Sequence, residues 1–248
     1  VLREILPVIA IVAFTATATE AVRRDIAEQL LLDRPEVLVG NFDRPNLTYR
    51  VRRRTNALRQ IRDVLERHTG ESGIIYCLRR ADVDAMTRTL AGQGYRVAPY
   101  HAGLTDEERK RSQNAFIHEE ADIIVATVAF GMGIDKSNVR YVIHAAMPKS
   151  LEHYQQESGR AGRDGLEAEC CLLFSGADYL TWKRILEDSE PQMLETGAAK
   201  LGSMYRYCTG ASCRHRAILH YLDQILDRDN CGACDICLSE VGGVTDAL

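Results

Sequence analysis

Two arginines and three glycines lie together in residues 154–165, which read YQQESGRAGRDG. Arg160 and Arg163 are three positions apart, so they lie on one face of a helix or tight turn. Each guanidinium is planar and permanently charged and donates two parallel hydrogen bonds, which suits the oxygens of a phosphate chain. The glycines around them let the backbone come close to a ligand or a neighbouring domain. The pattern indicates a phosphate site, although a solvated basic turn would have the same composition.

The chain has eight cysteines, and three of them, Cys231, Cys234 and Cys237, follow a C-x2-C-x2-C spacing. In an enzyme-like chain, cysteines clustered in this way indicate a metal site more than disulfide bonds. Four thiolates at about 2.3 Å around Zn²⁺ form a closed tetrahedral site, which is structural and adds its binding energy to folding. An iron–sulfur cluster is the alternative. The candidates for a fourth ligand are Cys213, Cys208, His215 and His220.

Strand and helix patterns alternate from residue 47 to about residue 174. The strand patterns lie at 48–52, 73–77, 95–99, 122–126, 139–143 and 169–174, and the helical patterns lie at 55–68, 80–92, 105–119 and 150–158. Runs such as GIIYC are apolar on both faces, as in parallel strands buried between two layers of helices. The alternation predicts an α/β fold with an open, doubly wound parallel sheet, whose ligands bind beyond the carboxyl ends of the strands.

The two ends of the chain follow different patterns. Residues 8–14 and 37–39 are apolar enough for strands and flank a helical spacing over 20–32, so we expect the last part of a larger parallel sheet there. After residue 176 the strand signal disappears. Helices are predicted at 177–187, 192–207 and 213–226, followed by a compact loop over 230–238 that holds the clustered cysteines.

The composition favours a globular chain without a membrane segment. Hydrophobic residues make up 46% of the 248 residues, which is enough for a core, and no run of 18 apolar residues occurs. The net charge is −4, so a chain of this kind that binds nucleic acid must concentrate its positive charge locally. The visible basic clusters are residues 50–54 (RVRRR) and the pair Arg79 and Arg80. We expect an intracellular protein with no membrane partner.

The chain resembles the RecQ family of superfamily 2 DNA helicases over nearly its whole length. Residues 154–165 are similar to motif VI of that family, and residues 13–19 (AFTATAT) are similar to motif III. Residues 73–78 (GIIYCL) are similar to motif IV, and residues 126–139 (ATVAFGMGIDKSNV) are similar to motif V. Residues 41–47 (NFDRPNL) are similar to the segment that joins the two helicase lobes. All of these segments occur in the order that the family uses.

The resemblance implies a RecA-like doubly wound parallel sheet followed by a small helical zinc-binding subdomain. The implied domains are the end of the first helicase lobe (1–40), an interlobe linker (41–47), the second RecA-like lobe (48–175), the zinc-binding subdomain (176–240) and a tail (241–248). The resemblance also implies that Cys213 is the fourth zinc ligand, because it stands at the start of a CRR-like helix. Cys208 is then a buried or free thiol.

Roles for single residues also follow from the resemblance. Arg163 is implied to be the arginine finger, which neutralises the charge that builds up on the γ-phosphate during hydrolysis. Arg160 is implied to be a second phosphate contact, and Gln156 couples motif VI to the opposite lobe. The residues implied on the nucleotide side of motif V are Gly133 and Asp135. The residues implied to contact DNA are Arg79, Arg80, Thr127 and Phe130.

Two motifs of the family, the GxxxxGK[ST] phosphate loop and the DExH box, do not occur in the sequence. In the family they hold the triphosphate and magnesium, and they belong to the first lobe. We therefore expect the first helicase lobe upstream of residue 1, and binding of ATP and Mg²⁺ only in the intact enzyme. We expect no ATPase activity from these 248 residues alone.

The implied function is that of an ATP-dependent 3′–5′ DNA helicase, which couples ATP hydrolysis to translocation and unwinding in recombination and repair. Its partner is expected to be single-stranded or partly duplex DNA. We expect it in the cytoplasm with the nucleoid of a bacterium, or in the nucleus of a eukaryote. Two alternatives stay open at this point: a non-catalytic, zinc-containing adaptor that binds nucleic acid, and an RNA helicase of the same superfamily.

Overall fold

Six parallel strands form a single sheet in the computed structural model, which describes residues 9–15, 17–128, 130, 136–188 and 190–241, without the side chains of 191–193. The strands are β1 (Leu47–Arg53), β2 (Ser72–Tyr76), β3 (Val97–Tyr100), β4 (Ile123–Ala126), β5 (Val139–His144) and β6 (Ala168–Phe174). Their order across the sheet is β1-β6-β5-β2-β4-β3. Every neighbouring pair is parallel, so the predicted parallel sheet is confirmed.

Helices cover both faces of the sheet. They are α1 (Glu20–Gln29), α2 (Ala57–Arg67), α3 (Arg80–Gly92), α4 (Asp106–Ile117), α5 (Leu151–Ser158), α6 (Gly176–Glu187), α7 (Pro191–Thr209) and α8 (Arg214–Tyr221). Thr105 is the N-cap of α4: its Oγ1 accepts a hydrogen bond from the backbone N–H of Glu108 at 3.2 Å, and its own N–H donates to the Glu108 carboxylate at 2.8 Å. Along the described part of the chain, no helix combines the length and the apolar character needed to cross a membrane.

The two faces of the sheet bury separate hydrophobic clusters. All five residues of β2 are buried, and because side chains of a strand alternate, Ile74 packs with one cluster and Ile75 with the other. The Ile75 cluster includes residues of α2 and α3, and the Ile74 cluster includes residues of α4, α5, α7 and α8. Helices on both faces explain why the strand sequence is apolar throughout, and they confirm the doubly wound fold.

The strands predicted near the start of the chain are wrong for the residues that the structure describes. Residues 9–14 and 37–39 contain no strand, and Phe14 and Leu38 are 94% and 86% exposed. A strand needs a neighbouring strand to pair its backbone N–H and C=O groups, and within the described ranges none lies beside these segments. The helix between them does form, as α1, with Thr19 as its N-cap.

The cysteine-rich end of the chain docks against the edge strand β1. The backbone N–H of Tyr49 donates to the Ala233 carbonyl at 3.1 Å, and the N–H of Asp235 donates to the Tyr49 carbonyl at 2.9 Å. Helix α8 is shorter than the 213–226 predicted from the sequence. It ends at Tyr221 because the backbone turns at Asp223, which has a positive φ of 60°.

Candidate functional site

Residues 159–167 connect α5 to β6 and carry Arg160 and Arg163; we call them the arginine loop. Helix α5 starts at the Ser150 cap and ends at Gly159, and the chain then makes a tight turn. Gly162 has a positive φ of 55°, and its N–H donates to the Val139 carbonyl at 2.9 Å. A Cβ at this glycine would lie 2.7 Å from the Leu166 carbonyl oxygen, so the turn requires glycine.

The two arginines of the loop differ in exposure. Arg160 is half-buried, and Arg163 is exposed. Burial raises the pKa of Tyr76, and the positive charges of Arg160 and Arg163 oppose that rise. Both guanidinium charges therefore act on Tyr76 in β2, whereas the backbone of the loop lies at the amino edge of the sheet, where Gly162 contacts Val139, the first residue of β5.

Gln156 links the arginine loop region to the start of the chain. Its Nε2 donates to the Oγ1 of Thr17 at 3.0 Å. Thr17 belongs to residues 13–19, which resemble motif III, whereas Gln156 belongs to the segment that resembles motif VI. The structure thus brings together two segments that are 139 residues apart in the sequence.

A buried ionisable pair connects α5 to the end of β5. His144 Nε2 lies 2.8 Å from Glu157 Oε2, and the two residues are only 1% and 5% exposed. The ring of Tyr76 stacks on His144 with 5.2 Å between the ring centroids. Sequence reasoning gave neither His144 nor Glu157 a role, because residues on a strand and a following helix have no fixed spacing. The pair fixes α5 on β5, immediately before the arginine loop.

Arg44 and Asn46 are a second pair that sequence reasoning missed. Arg44 donates to carbonyl oxygens of the arginine loop, and Asn46 Nδ2 donates to the carbonyls of Gly162 and Leu166, both at 2.9 Å. These residues had been assigned only to a linker. The contacts span 115 to 120 residues, so no local spacing could have indicated them.

Three of the residues that the resemblance places near DNA lie at or after strand ends. Arg79 is the N-cap residue of α3, is largely exposed and forms two hydrogen bonds with the Asp82 carboxylate at 2.9 Å. Arg80 follows it and is also exposed. Thr127 comes directly after β4, is partly exposed and donates its backbone N–H to the Tyr100 carbonyl at 3.1 Å. Strands β2 and β4 are neighbours, so these side chains share one edge of the sheet.

Phe130 does not match its implied role as a DNA contact. Its ring is fully buried and packs against Tyr100 and Phe116 at centroid distances of 4.8 and 6.1 Å. An aromatic ring held in the core has no face for a base, so we correct this assignment to a packing role. Gly133 and Asp135, implied on the nucleotide side, lie outside the described residues.

Four cysteines converge next to β1. The sulfur atoms of Cys213, Cys231, Cys234 and Cys237 all lie within 4.8 Å of one another. Zinc–sulfur bonds of about 2.3 Å in a tetrahedron place the sulfurs roughly 3.8 Å apart, so the cluster fits a zinc ion. Backbone N–H groups also point at two of the sulfurs, at 3.4 Å each. We call residues 230–238 the cysteine loop.

The other candidates for the fourth ligand are placed elsewhere. Cys208 is buried in α7 outside the cluster, and burial raises the pKa of its thiol. His215 is buried, with Nδ1 2.9 Å from a carboxylate oxygen of Asp43 and Nε2 3.0 Å from the Leu47 carbonyl oxygen. His220 is exposed. The cluster geometry therefore selects Cys213, which immediately precedes α8.

Two family models match the chain. One is described as "Helicase conserved C-terminal domain" and covers residues 56–165, which include most of the sheet and the arginine loop through residue 165. The other is described as "RecQ zinc-binding" and covers residues 176–238, which include all four clustered cysteines. The first match therefore corresponds to the parallel sheet with its helices, and the second to the region that contains the cysteine cluster.

Curated relatives match nearly the whole chain. An ATP-dependent DNA helicase RecQ from Pasteurella multocida is 40% identical over 251 residues, which cover 99% of this chain and 39% of the relative. One from Bacillus subtilis is 42% identical, and the match covers 92% of this chain and 38% of the relative. A RecQ-like DNA helicase BLM from Xenopus laevis is 40% identical, and the match covers 97% of this chain and 19% of the relative. The chain thus spans about two fifths or less of the length of these relatives.

A solved structure supports the fold independently. The chain superposes on a Saccharomyces cerevisiae Dbp5 structure, described as bound to RNA and ADP BeF3, with a TM-score of 0.58. The match covers 76% of this chain and 54% of that chain at 17% sequence identity. At that identity the likeness extends to the fold alone.

Proposed function

Because this chain belongs to the RecQ family of superfamily 2 helicases, we propose that it works within an ATP-dependent 3′–5′ DNA helicase that couples ATP hydrolysis to translocation and unwinding. The chain provides the second helicase lobe and the zinc-binding module. One observation carries the proposal: Gln156, in the segment that resembles motif VI, donates to Thr17, in the segment that resembles motif III.

In this proposal Arg163 acts on the γ-phosphate. Its side chain is exposed, so it can enter a nucleotide site that the opposite lobe completes when the two lobes close. A contact made only in the closed state stabilises the transition state more than bound ATP, and therefore raises kcat. Arg160 is half-buried and so held in place, which suits a constant contact with a phosphate oxygen. ATP with Mg²⁺ supplies the phosphoryl group that is transferred to water.

The zinc site stabilises the fold and takes no part in the reaction. Cys213, Cys231, Cys234 and Cys237 would fill all four positions of a tetrahedral zinc ion, so none is left for a substrate. Asp235, within the cysteine loop, joins the site to β1 through its backbone and its buried carboxylate. Zinc binding therefore secures the loop to the edge of the helicase sheet.

Single-stranded or partly duplex DNA is the proposed partner, held at the strand ends near Arg79, Arg80 and Thr127. Two exposed guanidinium groups and the first N–H groups of α3 offer donors to phosphate oxygens. Contacts of this kind position the backbone without reading bases. Since the chain carries a net charge of −4, binding depends on these local charges and weakens as salt rises.

The test uses the intact helicase, meaning the longer protein in which a phosphate-loop lobe precedes this chain. We expect ATP hydrolysis that single-stranded DNA stimulates and RNA does not, and unwinding of duplexes with a 3′ tail. The 248-residue chain alone is expected to hydrolyse no ATP. Stimulation by RNA alone would favour an RNA helicase, and nucleic-acid binding without hydrolysis would favour an adaptor. Robust ATP hydrolysis by the isolated chain would contradict the proposal that the arginine loop provides only one half of an ATPase site, which the other lobe completes.

A further inference from the structure

Three carbonyl oxygens of the arginine loop converge on one side chain. Arg44 Nη2 donates to the carbonyls of Ala161 and Gly162, both at 2.9 Å, and Nη1 donates to the carbonyl of Gly159 at 3.3 Å. Carbonyl dipoles that point at one place repel each other, and a permanent cation with several donors offsets this repulsion. Arg44 therefore holds the turn between Gly159 and Gly162, which contains Arg160 and immediately precedes Arg163.

Asn46 closes the same loop from the other side. Its Nδ2 donates to the carbonyls of Gly162 and Leu166. The Gly162 carbonyl thus accepts from both Arg44 and Asn46, and the Leu166 carbonyl fixes the far end of the loop. Gly162 is buried, so its carbonyl needs partners within the protein, and the two side chains that provide them restrict the backbone of the turn immediately before Arg163.

The segment that carries Arg44 is itself held by the zinc module, a name we use for residues 176–238. Asp43 accepts from Arg228 Nη2 at 2.7 Å, and its other carboxylate oxygen lies 2.9 Å from His215 Nδ1. Gln224 binds the backbone on both sides of residue 41: its Nε2 donates to the Gly40 carbonyl at 2.8 Å, and its Oε1 accepts from the Phe42 N–H at 2.9 Å. Residues 40–46 therefore lie between the zinc module and the arginine loop and contact both.

We propose that Arg44 is a positioning residue that sets the arginine loop for its phosphate contacts, and that the zinc module fixes Arg44 in place through Asp43 and Gln224. The inference rests on the proposed function, since it gives the loop an ATPase role. Arg44 donates to the loop's backbone and need not touch the nucleotide. Its effect is on the turnover step, because displacing a catalytic group by about 1 Å can cost roughly 10²-fold in rate.

The first measurement needs no ATPase. Amide hydrogen exchange is followed in the 248-residue chain for wild type, Arg44→Gln and a control, Arg96→Gln. Arg96 also donates to a backbone carbonyl and pairs with a carboxylate, but it lies beside β3 at the other edge of the sheet. Arg44→Gln is expected to speed exchange in the arginine loop by about tenfold while strands β2 and β4 stay protected. Unchanged exchange in the loop would overturn the proposal.

The second measurement is steady-state ATP hydrolysis in the intact helicase with saturating DNA. We expect Arg44→Gln to lower kcat by about 10²-fold with less than about a threefold change in the KM for ATP. Arg44→Lys is expected to recover part of the loss, because an ammonium still donates to carbonyls without the planar fork. Arg96→Gln is expected to keep wild-type turnover. Equal losses in both glutamine variants, or no recovery with lysine, would reduce Arg44 to a general stabilising role.

A separate variant tests whether the zinc module fixes Arg44 in place. Gln224→Ala removes both contacts to residues 40–42 without touching a cysteine, so the zinc content is expected to stay the same. Exchange in the arginine loop is expected to rise and kcat to fall by several-fold. Wild-type exchange and kcat in this variant would remove the zinc module from the proposal. An inactive wild-type intact protein would instead defeat the proposed function, while the exchange data would still judge Arg44.

Discussion

The arginine loop and the cysteine loop are both anchored at the edge of the sheet near β1, but they are built in opposite ways. The backbone of the arginine loop is held by side chains from elsewhere, and Arg163, one of its two proposed phosphate contacts, is exposed. The cysteine loop is held by the metal site that its three cysteines form with Cys213, and Cys234 is fully buried. In the first loop, function and folding depend on different atoms. In the second, the same four sulfur atoms serve both.

This difference predicts how substitutions in each loop affect catalysis and stability. An exposed cationic side chain is stable at a protein surface without a bound ligand. Four thiolates packed together repel one another and need a metal ion, so the metal binds as the site folds. A substitution in the arginine loop should therefore affect catalysis with little change in stability, and a substitution among the four cysteines should affect stability first.

The strongest test of this contrast is Cys234→Ser. We expect loss of zinc and protease sensitivity in α7 and α8, because structural zinc contributes on the order of 10 kcal/mol of apparent binding free energy. Elemental analysis and limited proteolysis measure both. Cys208→Ser is the matched control, since Cys208 is also buried but lies outside the cluster. Zinc retained in Cys234→Ser, zinc lost in Cys208→Ser, or iron in the wild type would each contradict the assignment.

The next largest effect is expected from Arg163→Ala in the intact helicase. Loss of an arginine finger lowers turnover by about 10³–10⁵-fold, or roughly 4–7 kcal/mol of transition-state stabilisation. Because Arg163 is exposed, the melting temperature and the affinities for ATP and DNA should change far less. DNA-stimulated ATPase and thermal unfolding on the same preparation separate the two effects.

Two companion variants sharpen the Arg163 test. Arg163→Lys should rescue poorly, since an ammonium lacks the planar fork of donors. Arg111→Ala, which removes an exposed arginine from α4, should leave turnover unchanged. A folded Arg163→Ala protein with turnover near wild type would exclude Arg163 from the site. A melting temperature that falls in step with turnover would make Arg163 a structural brace, and the contrast between the loops would fail.

The smallest of the three effects concerns Glu169, the second residue of β6, which follows the arginine loop. Although burial raises its pKa, hydrogen bonds from His68 and Arg67 and the charge of Arg50 lower it overall to about 2. Arg50 in turn pairs with Glu240, which follows the cysteine loop, at 2.7 Å. A carboxyl group with a lowered pKa in the folded state stabilises the fold above its unfolded pKa, and this contribution is lost as the pH falls toward 2.

We therefore expect Glu169→Gln to lower the free energy of unfolding by about 3 kcal/mol at pH 7, and the difference from wild type to shrink between about pH 5 and pH 2. Chemical denaturation at several pH values measures this difference, in which the effects of acid on the cysteines cancel. Glu71→Gln is the matched control, because Glu71 contacts the same histidine, His68, from an exposed position. A difference that does not depend on pH would show that packing, and not charge, makes Glu169 matter.

Much of the fold could be predicted from local patterns. The strands after residue 47 and the start of α4 were predicted within a few residues, because period-2 and period-3.6 spacings act over a single turn or strand. The segments at 9–14 and 37–39 show the limit of this reasoning. Their apolar composition fits strands, but a strand also requires a paired neighbour, and a composition contains no information about neighbours.

The site divides in the same way. The cysteine spacing indicated metal, and the resemblance selected Cys213, because each of these signals lies within a few residues of sequence. Phe130 was misplaced because an aromatic residue in a strand-end loop can face either the solvent or the core, and only its packing against Phe116 decides between them. The roles of Arg163 and Gln156 stay predictions that the experiments above test.

What the sequence determined by itself is the set of chemical groups: two arginines among glycines, four cysteines at metal spacing, and an alternation that forms a parallel sheet. What only the tertiary structure decided is which distant groups hold them. Arg44 reaches the arginine loop across 115 to 118 residues, and Gln224 reaches Phe42 across 182. Chain closure over such distances depends on the packing of the whole sheet, so the sequence pattern near either partner cannot reveal the contact.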